Sequence, residues 1–307
     1  MTVFAHLLAN KVSSLLSLSE QSERSYIYIM IGVFDSGYGG LTILKEIRKV
    51  LPEYDYLYLG DNARAPYGTR SFDCIYRYTL EAVQYMFSQG CSLVILACNT
   101  ASAKALRTIQ QHDLPRINDK MANGKMVNVL GVIRPTVEVV PSLTQTKHVG
   151  VLATPGTVAS DSYRIELLKQ DADLVVTQQA CPMWVPLIEA GEHNSEGANY
   201  FIRKYIDQIM QRDPMIDTLL LGCTHYPLIQ AVIDTELANF GHLCKTIAQG
   251  DIVAQSLADY LSRHPEYDDQ VSRGGSCRYL TTDDAQRFAE AATLFLGQTI
   301  EAFHVEY

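Results

Sequence analysis

Two cysteines stand in matching positions, each at the point where an apolar segment gives way to polar residues. Cys98 directly follows residues 93–97, and Cys223 directly follows residues 218–222. A single cysteine in such a place is most often a small buried apolar side chain. Two in matching contexts favour a pair of acid/base thiols, because a thiol with a pKa of about 8.5 becomes a usable base where a helix start or polarising neighbours lower that pKa.

Three ionisable side chains are candidates to support these thiols. His225 lies two residues after Cys223, where it can take or relay a proton or stand at the surface at a helix start. Asp35 ends the first apolar segment and fits either a proton-handling partner or the N-cap of a helix. Glu189, near the end of a short apolar segment, is a further candidate for tuning the Cys223 side.

Glycines follow Asp35 between a predicted strand and a predicted helix, at positions 37, 39 and 40. Such a turn can expose backbone N–H groups to an anion. The dinucleotide-binding pattern would require glycine at position 42, where Thr42 stands, and the lysine of a P-loop is missing. The sequence therefore disfavours NAD or ATP and suits the close approach of a carboxylate.

A second turn follows the next apolar segment, at Pro66-Tyr67-Gly68. Its composition is typical of a loop. In a cleft the same turn would provide a hydroxyl and a backbone N–H to a substrate, and both interpretations are open.

Trp184 is predicted to be a core residue.

The composition excludes several classes of protein. A chain of 307 residues with 47% hydrophobic and 19% charged residues is long enough for two globular α/β domains. The net charge is −9, so nucleic acid is not an expected partner. Seven scattered cysteines without a C-x-x-C favour reduced thiols over disulfides or a zinc site. No apolar run reaches the roughly 20 residues of a membrane span, and we predict a soluble, cytoplasmic protein.

Short apolar segments alternate with longer amphipathic ones, which is typical of parallel sheets with helical crossovers. The sequence therefore predicts two doubly wound, pseudo-symmetric α/β domains with mainly parallel sheets. Predicted strands end at Asp35, Asp61, Asn99, Ile133, Thr154, Ala180, His225 and Gln249. Predicted helices cover residues 41–50, 72–88, 101–111, 163–169, 198–211 and 252–262.

The alternation of apolar and amphipathic segments is interrupted twice, and these interruptions define the predicted domain boundaries. A polar stretch at 112–125 is interpreted as a linker, and a second break follows residue 237. Domain A then comprises 26–121 plus 238–307, and domain B comprises 122–237. Residues 1–25 are predicted to be a poorly ordered appendage, with Met30 as a possible internal start site. Ligands bind at the carboxyl ends of parallel strands, so the active site is expected in the cleft between the domains.

Seven short motifs occur in an order that resembles the glutamate racemases of the cofactor-independent aspartate/glutamate racemase superfamily. The resemblance covers nearly everything from Met30 to the C-terminus. Each motif alone is weak evidence, whereas their shared order is specific. The motifs are Asp35-Ser36-Gly37, Gly60-Asp61, Pro66-Tyr67-Gly68, Ala97-Cys98-Asn99-Thr100, Gly131-Val132-Ile133, Cys181-Pro182 and Gly222-Cys223-Thr224-His225-Tyr226-Pro227.

The resemblance implies interconversion of L- and D-glutamate without pyridoxal phosphate or metal, providing D-glutamate for peptidoglycan, cell-wall biogenesis and cell shape. Cys98 would deprotonate D-glutamate with support from Asp35, and Cys223 would deprotonate L-glutamate with support from His225. Homodimers are common in the resembled family, so self-association is expected. The implied substrate-binding residues are Asp35, Ser36, Tyr67, Gly68, Asn99, Thr100, Thr224 and His225.

Other functions compete with this one. An aspartate or hydantoin racemase, or a decarboxylase that uses one cysteine of the same fold, is the alternative among enzymes, although the sequence Thr-His-Tyr-Pro after Cys223 favours glutamate. A catalytically silent protein that closes on an acidic amino acid is the alternative from another class, and the presence of both cysteines argues against it. A pyridoxal enzyme lacks a lysine in a recognisable cofactor context.

Overall fold

The computed structural model describes residues 29–121 and 126–307. Within these residues, ten strands form two sheets in which every pairing is parallel. The predicted α/β class with mainly parallel sheets is thereby confirmed. The strands are β1 (Met30–Asp35), β2 (Tyr56–Gly60), β3 (Cys91–Leu96), β4 (Asn128–Gly131), β5 (His148–Ala153), β6 (Val175–Ala180), β7 (Thr218–Gly222), β8 (Lys245–Ile247), β9 (Cys277–Thr281) and β10 (Ala302–His304).

Helices connect these strands, as parallel pairing requires. None of the described helices is long and apolar enough to cross a membrane. The longer helices are Leu41–Val50, Phe72–Ser88, Ser162–Gln170, Glu196–Arg212, Gln230–Asn239, Gly250–Arg263 and Ala285–Leu296. The shorter ones are Asn99–Lys104, Leu106–Thr108, Leu114–Asn118, Ile133–Val139, Pro155–Ala159, Trp184–Glu189 and Pro265–Asp268, with 3₁₀ turns at Asn62–Arg64, Tyr67–Thr69, Val140–Ser142 and Tyr226–Ile229 and a π-helix at Ile109–Asp113.

The first sheet has the strand order β10-β9-β2-β1-β3-β4. All six residues of β1 are buried, because helices cover both faces of this sheet. Ile31 and Val33 pack into one apolar core and Met30 and Phe34 into another, as the alternation of side chains along a strand demands. A strand that is covered on both faces needs apolar residues on both. This explains the continuous apolar sequence of residues 30–34 in β1.

The second sheet has the order β6-β5-β7-β8. Its inner strand β7 is buried at every position. The helix Glu196–Arg212 packs close to β6, and Ser195 Oγ caps this helix by accepting a hydrogen bond from the Ala198 N–H at 3.1 Å. Trp184 is buried against Tyr226, so its prediction as a core residue is confirmed.

Two parts of the predicted element pattern were wrong. The sequence interpretation missed β9 and β10, which add to the edge of the first sheet. It also took 112–125 as a linker, whereas the π-helix Ile109–Asp113 runs into the helix Leu114–Asn118. Ile109 and Leu114 of these helices are buried in an apolar core, so the segment packs against the protein and is not a free linker. Residues 122–125 of the predicted linker lie outside the described residues.

The observed strand pairing disagrees with the predicted domain boundaries at two strands. β4 pairs with β3 of the first sheet, although the predicted boundary placed it in domain B. β8 pairs with β7 of the second sheet, although the prediction placed it in domain A. The division into two domains stays a prediction, and we propose that its boundaries lie after β4 and after β8. The predicted N-terminal appendage, residues 1–25, lies outside the described residues.

Candidate active site

A cavity of about 90 Å³ lies where loops after strands of both sheets meet. Every residue that the sequence singled out for a site lines this cavity, although their chemical roles stay predictions at this point. The predicted residues that line the cavity are Asp35, Ser36, Tyr67, Gly68, Cys98, Asn99, Thr100, Glu189, Cys223, Thr224 and His225.

Cys98 directly precedes the helix Asn99–Lys104 and is 5% exposed. Its Sγ lies 3.4 Å from Ser36 Oγ and 3.5 Å from the backbone nitrogen of Ala101, which donates to it. Burial raises the pKa of the Cys98 thiol to about 12, and the charge of Asp35 acts in the same direction. The donors Ser36 and Ala101, the latter at the helix start, act to lower this pKa, but loss of hydration outweighs them. In this state Cys98 is a neutral thiol, which is a proton donor.

Asp35 ends β1 beside Cys98 and is buried. Its Oδ2 accepts a hydrogen bond from the Gly37 N–H at 2.9 Å, and its Oδ1 has no hydrogen-bond partner among the described residues. Burial raises the pKa of Asp35, while the charge of His225 opposes that effect. The alternative role as an N-cap is wrong, because the helix Leu41–Val50 begins at Gly40 without a side-chain cap. Asp35 thus presents an unpaired oxygen beside a thiol.

Cys223, His225 and Glu189 form a chain of contacts on the other side of the site. Cys223 Sγ lies 3.8 Å from His225 Nδ1, and His225 Nε2 lies 2.9 Å from Glu189 Oε1. Burial disfavours the charged form of His225, but its contacts with Cys223 and Glu189 raise its pKa to about 10. His225 is therefore an imidazolium at neutral pH and can give a proton to the Cys223 side. The residue is only 5% exposed, which excludes its alternative role as a surface residue.

The loop after β1 packs directly against the loop after β7. A Cβ atom at Gly39 would lie 2.3 Å from Thr224 Oγ1 and 2.4 Å from His225 Nδ1. Thr42 Oγ1 also donates a hydrogen bond to the Thr224 carbonyl at 2.9 Å. Glycine at position 39 is therefore what lets the two loops approach so closely.

The turn at Tyr67 and Gly68 lines the cavity, but the Tyr67 hydroxyl is bonded within the protein and is not offered to a ligand as predicted. Tyr67 is buried and its hydroxyl donates to Asp61 Oδ2, which also pairs with Arg64 at 2.7 Å. The Tyr67 hydroxyl is therefore held inside the protein. Gly68 lies close to Thr154, which would be 3.1 Å from a Cβ at position 68, so this turn can offer a ligand its backbone.

Thr154 is a cavity residue that the sequence reasoning did not select. Its hydroxyl lies 3.0 Å from Thr100 Oγ1 and 3.1 Å from Thr157 Oγ1, forming a buried cluster of hydroxyls. Thr154 stands directly after β5, so the rule that chemistry gathers at strand ends would have found it. Other cavity residues that were not selected are Ala65, Pro66, Thr69, Pro155, Cys181, Pro182, Val185 and Pro186.

Comparison with known proteins gives a consistent result. Residues 41–248 match the family described as Asp/Glu/Hydantoin racemase. A glutamate racemase of Ruegeria sp. (strain TM1040) is 41% identical over 280 residues, which cover 88% of this chain and 97% of that relative. A glutamate racemase isoform from Bacillus anthracis is similar in structure, with a TM-score of 0.78 at 30% identity over 91% of this chain and 97% of the other. The enzyme from Francisella tularensis in complex with D-glutamate gives the same TM-score and identity, over 91% and 98% of the two chains.

Gly39→Ala tests the contact between the two loops. Because the added methyl group would overlap Thr224 and His225, these side chains must move, and we expect the free energy of unfolding to fall by about 1–3 kcal/mol. Gly37→Ala in the same loop is the matched control, since its nearest neighbour would be 3.5 Å away. Urea unfolding of both variants measures the difference. Equal stability of the two variants would contradict the close approach at Gly39.

The raised pKa of His225 predicts a dependence of stability on pH. The folded protein holds this proton up to a pKa of about 10, whereas the unfolded chain releases it near about 6.5. The contribution is therefore complete below the unfolded pKa and is lost as the pH rises through the folded pKa. Urea unfolding of wild type and His225→Gln should show a difference in stability that is constant below about pH 6.5 and shrinks above it. A difference that does not change with pH would contradict the assignment.

Proposed function

Because the chain belongs to the Asp/Glu/Hydantoin racemase family, we propose that it interconverts L- and D-glutamate with Cys98 and Cys223 as its two acid/base groups. The observation that carries the proposal is that both thiols line one cavity, one after a strand of the first sheet and one after a strand of the second. Glutamate is the substrate because relatives that match most of the chain are glutamate racemases and a structural neighbour binds D-glutamate.

Racemisation explains why two thiols are needed. The α-proton leaves from one face of the substrate carbon and another proton is returned to the opposite face, so a base and an acid must flank that carbon. Cys98 removes the proton from D-glutamate and Cys223 removes it from L-glutamate. The two groups exchange roles with the direction of the reaction. The position of the thiols on loops of two different sheets supports an approach to the substrate from two sides.

The protonation of the site supports a division of roles. Cys98, whose pKa burial raises to about 12, is a neutral thiol ready to donate a proton. On the other side, the imidazolium of His225 lies between Cys223 and Glu189. A desolvated thiolate is a strong base because it has lost its hydration. With L-glutamate, Cys223 as a thiolate takes the α-proton and the Cys98 thiol gives its proton to the opposite face of the α-carbon. With D-glutamate the two thiols act in the reverse sense, so that proton gain at one equals proton loss at the other.

The α-proton of glutamate is only weakly acidic, so the cavity must stabilise the charge that spreads into the α-carboxylate. Hydroxyl and N–H donors that converge on such a charge are typically worth about 3 kcal/mol each in oxyanion sites. The side chains of Ser36, Asn99, Thr100 and Thr224 line the cavity and are the donors of choice. The unpaired Oδ1 of Asp35 is placed for the substrate ammonium.

The proposal extends to the cellular role. The product D-glutamate serves peptidoglycan synthesis, and with it the building of the cell wall and cell shape. The reaction takes place in the cytoplasm, with no cofactor and no metal. The protein acts as a homodimer.

Purified protein is expected to racemise glutamate without any added cofactor. Circular dichroism of amino-acid enantiomers measures this directly, because loss of the signal of either glutamate enantiomer reports racemisation. Aspartate and hydantoins in the same screen separate the sister activities. Activity on aspartate alone, or turnover only after addition of pyridoxal phosphate, would refute the proposed function.

Variants of the two thiols should separate the two faces of the substrate. Cys98→Ala and Cys223→Ala are each expected to reduce racemisation at least about a thousandfold, since each removes one of two obligatory proton-transfer groups. Cys91→Ala is the matched control, because Cys91 is a buried thiol that does not line the cavity. Its turnover is expected to remain near that of wild type.

In deuterated water, proton NMR assigns the thiols to the enantiomers. Cys223→Ala retains Cys98 and should exchange the α-proton of D-glutamate without forming L-glutamate, whereas Cys98→Ala should exchange only that of L-glutamate. The wild type should label both enantiomers. Labelling of both enantiomers by a single variant would show that one group serves both faces.

A further inference from the structure

Three buried side chains form a closed ring of hydrogen bonds next to the cavity. Asn99 Nδ2 donates to Gln249 Oε1 at 2.7 Å, Gln249 Nε2 donates to the Tyr163 hydroxyl at 2.8 Å, and that hydroxyl donates to Asn99 Oδ1. The three side chains are at most 2% exposed. Of the three, Asn99 alone lines the cavity. Tyr163 and Gln249 thus contact the site through Asn99.

The ring has only one consistent direction. Gln249 Nε2 also lies 3.3 Å from the Val132 carbonyl and 3.0 Å from Thr136 Oγ1, whose hydroxyl donates to the same carbonyl. Because a carbonyl oxygen only accepts hydrogen bonds, Gln249 must direct its NH₂ group, and not its oxygen, toward Val132. Gln249 therefore donates to Tyr163, and the single hydroxyl hydrogen of Tyr163 must go to Asn99. A backbone carbonyl thereby determines which end of the Asn99 amide is the oxygen.

The fixed amide leaves one donor for the substrate. Gln249 takes one N–H of Asn99 Nδ2, and the other N–H makes no hydrogen bond among the described residues. Asn99 is adjacent to Cys98, and the Tyr163 ring would lie 3.0 Å from a Cβ at Gly222, the residue before Cys223. Tyr163 is therefore hydrogen-bonded to the segment that carries Cys98 and lies close to the segment that carries Cys223.

We propose that Tyr163 and Gln249 are positioning residues, which hold the Asn99 amide with its remaining N–H directed at a carboxylate of the bound amino acid. This inference rests on the proposed function, in which Asn99 contacts glutamate. Hydrogen bonds are stronger at low local dielectric, and a fully satisfied buried network is rigid. Without the ring, the amide can turn and present its oxygen to the substrate carboxylate, which repels it.

A double-mutant cycle tests whether Tyr163 acts through Asn99. Tyr163→Phe keeps the aromatic ring and removes the hydroxyl, and we expect KM for glutamate to rise about tenfold with a smaller change in kcat. Asn99→Ala should raise KM by a similar factor. The double variant should be no worse than Asn99→Ala alone, because the effect of Tyr163 requires Asn99. Effects that multiply would overturn the inference and assign Tyr163 a purely structural role.

Tyr56→Phe is the matched control for loss of a buried hydroxyl. The Tyr56 hydroxyl donates to the Leu51 carbonyl at 2.6 Å, and Tyr56 begins β2, at the opposite end of the strand from the cavity. Its KM for glutamate should equal that of wild type. A rise in KM equal to that of Tyr163→Phe would mean that any lost buried hydroxyl disturbs the site, and the inference would fail.

A measurement without turnover separates this inference from the proposed function. The Asn99 side-chain proton that is bonded to Gln249 should exchange slowly with water in wild type, as followed by ¹⁵N NMR. It should exchange at least about tenfold faster in Tyr163→Phe and in Gln249→Glu, where a carboxylate oxygen faces the Val132 carbonyl. If the wild type fails to racemise glutamate, the proposed function fails while this spectrum still tests the ring. Unchanged exchange in both variants would overturn the inference.

Discussion

The loop after β1 and the loop after β7 meet at a distance that a side chain on Gly39 would not permit. This contact brings the carboxyl ends of two separate sheets to one cavity, because β1 belongs to the first sheet and β7 to the second. The site residues Asp35, at the end of β1, and Cys223 with His225, after β7, lie beside this contact. Cys98 follows β3, which pairs with β1, so the contact between the two loops holds the edges that carry the two thiols next to each other.

Loss of hydration favours the neutral form of the ionisable group on both sides of the cavity, but it prevails only at Cys98. At Cys98, burial and the nearby carboxyl of Asp35 both favour the neutral thiol, and its pKa rises to about 12. At His225, burial favours the neutral ring, but Cys223 and Glu189 hold the charged form and its pKa rises to about 10. Although both side chains are buried, Cys98 is therefore a neutral thiol, whereas the neighbours of His225 stabilise its cation.

The sequence allowed prediction of the two strands that lead to the thiols, because buried parallel strands require continuous apolar runs. The predicted ends at Asn99 and His225 lie three residues beyond the observed ends, Leu96 and Gly222. The sequence did not reveal β9 and β10, which are short and partly exposed and therefore carry little apolar signal. The direction of the Tyr67 hydroxyl was also beyond reach. That hydroxyl donates a hydrogen bond to Asp61. The spacing of Tyr67 and Asp61 along the chain does not predict this hydrogen bond, because either side chain could equally bind a ligand.

The orientation of Asn99 illustrates why positioning is harder to predict than chemistry. The sequence predicted Asn99 as a substrate-binding residue only because the motif Ala97-Cys98-Asn99-Thr100 resembles that of glutamate racemases. Which end of the Asn99 amide faces the ligand depends on Gln249 and Tyr163, and in turn on the carbonyl of Val132. None of these groups is unusual in its own segment, and only the fold brings them together. The residue types that line the site are therefore a local property of the sequence, whereas the orientation of a side chain such as Asn99 depends on long-range packing. Here that packing includes the main-chain carbonyl of Val132, which no side-chain substitution removes.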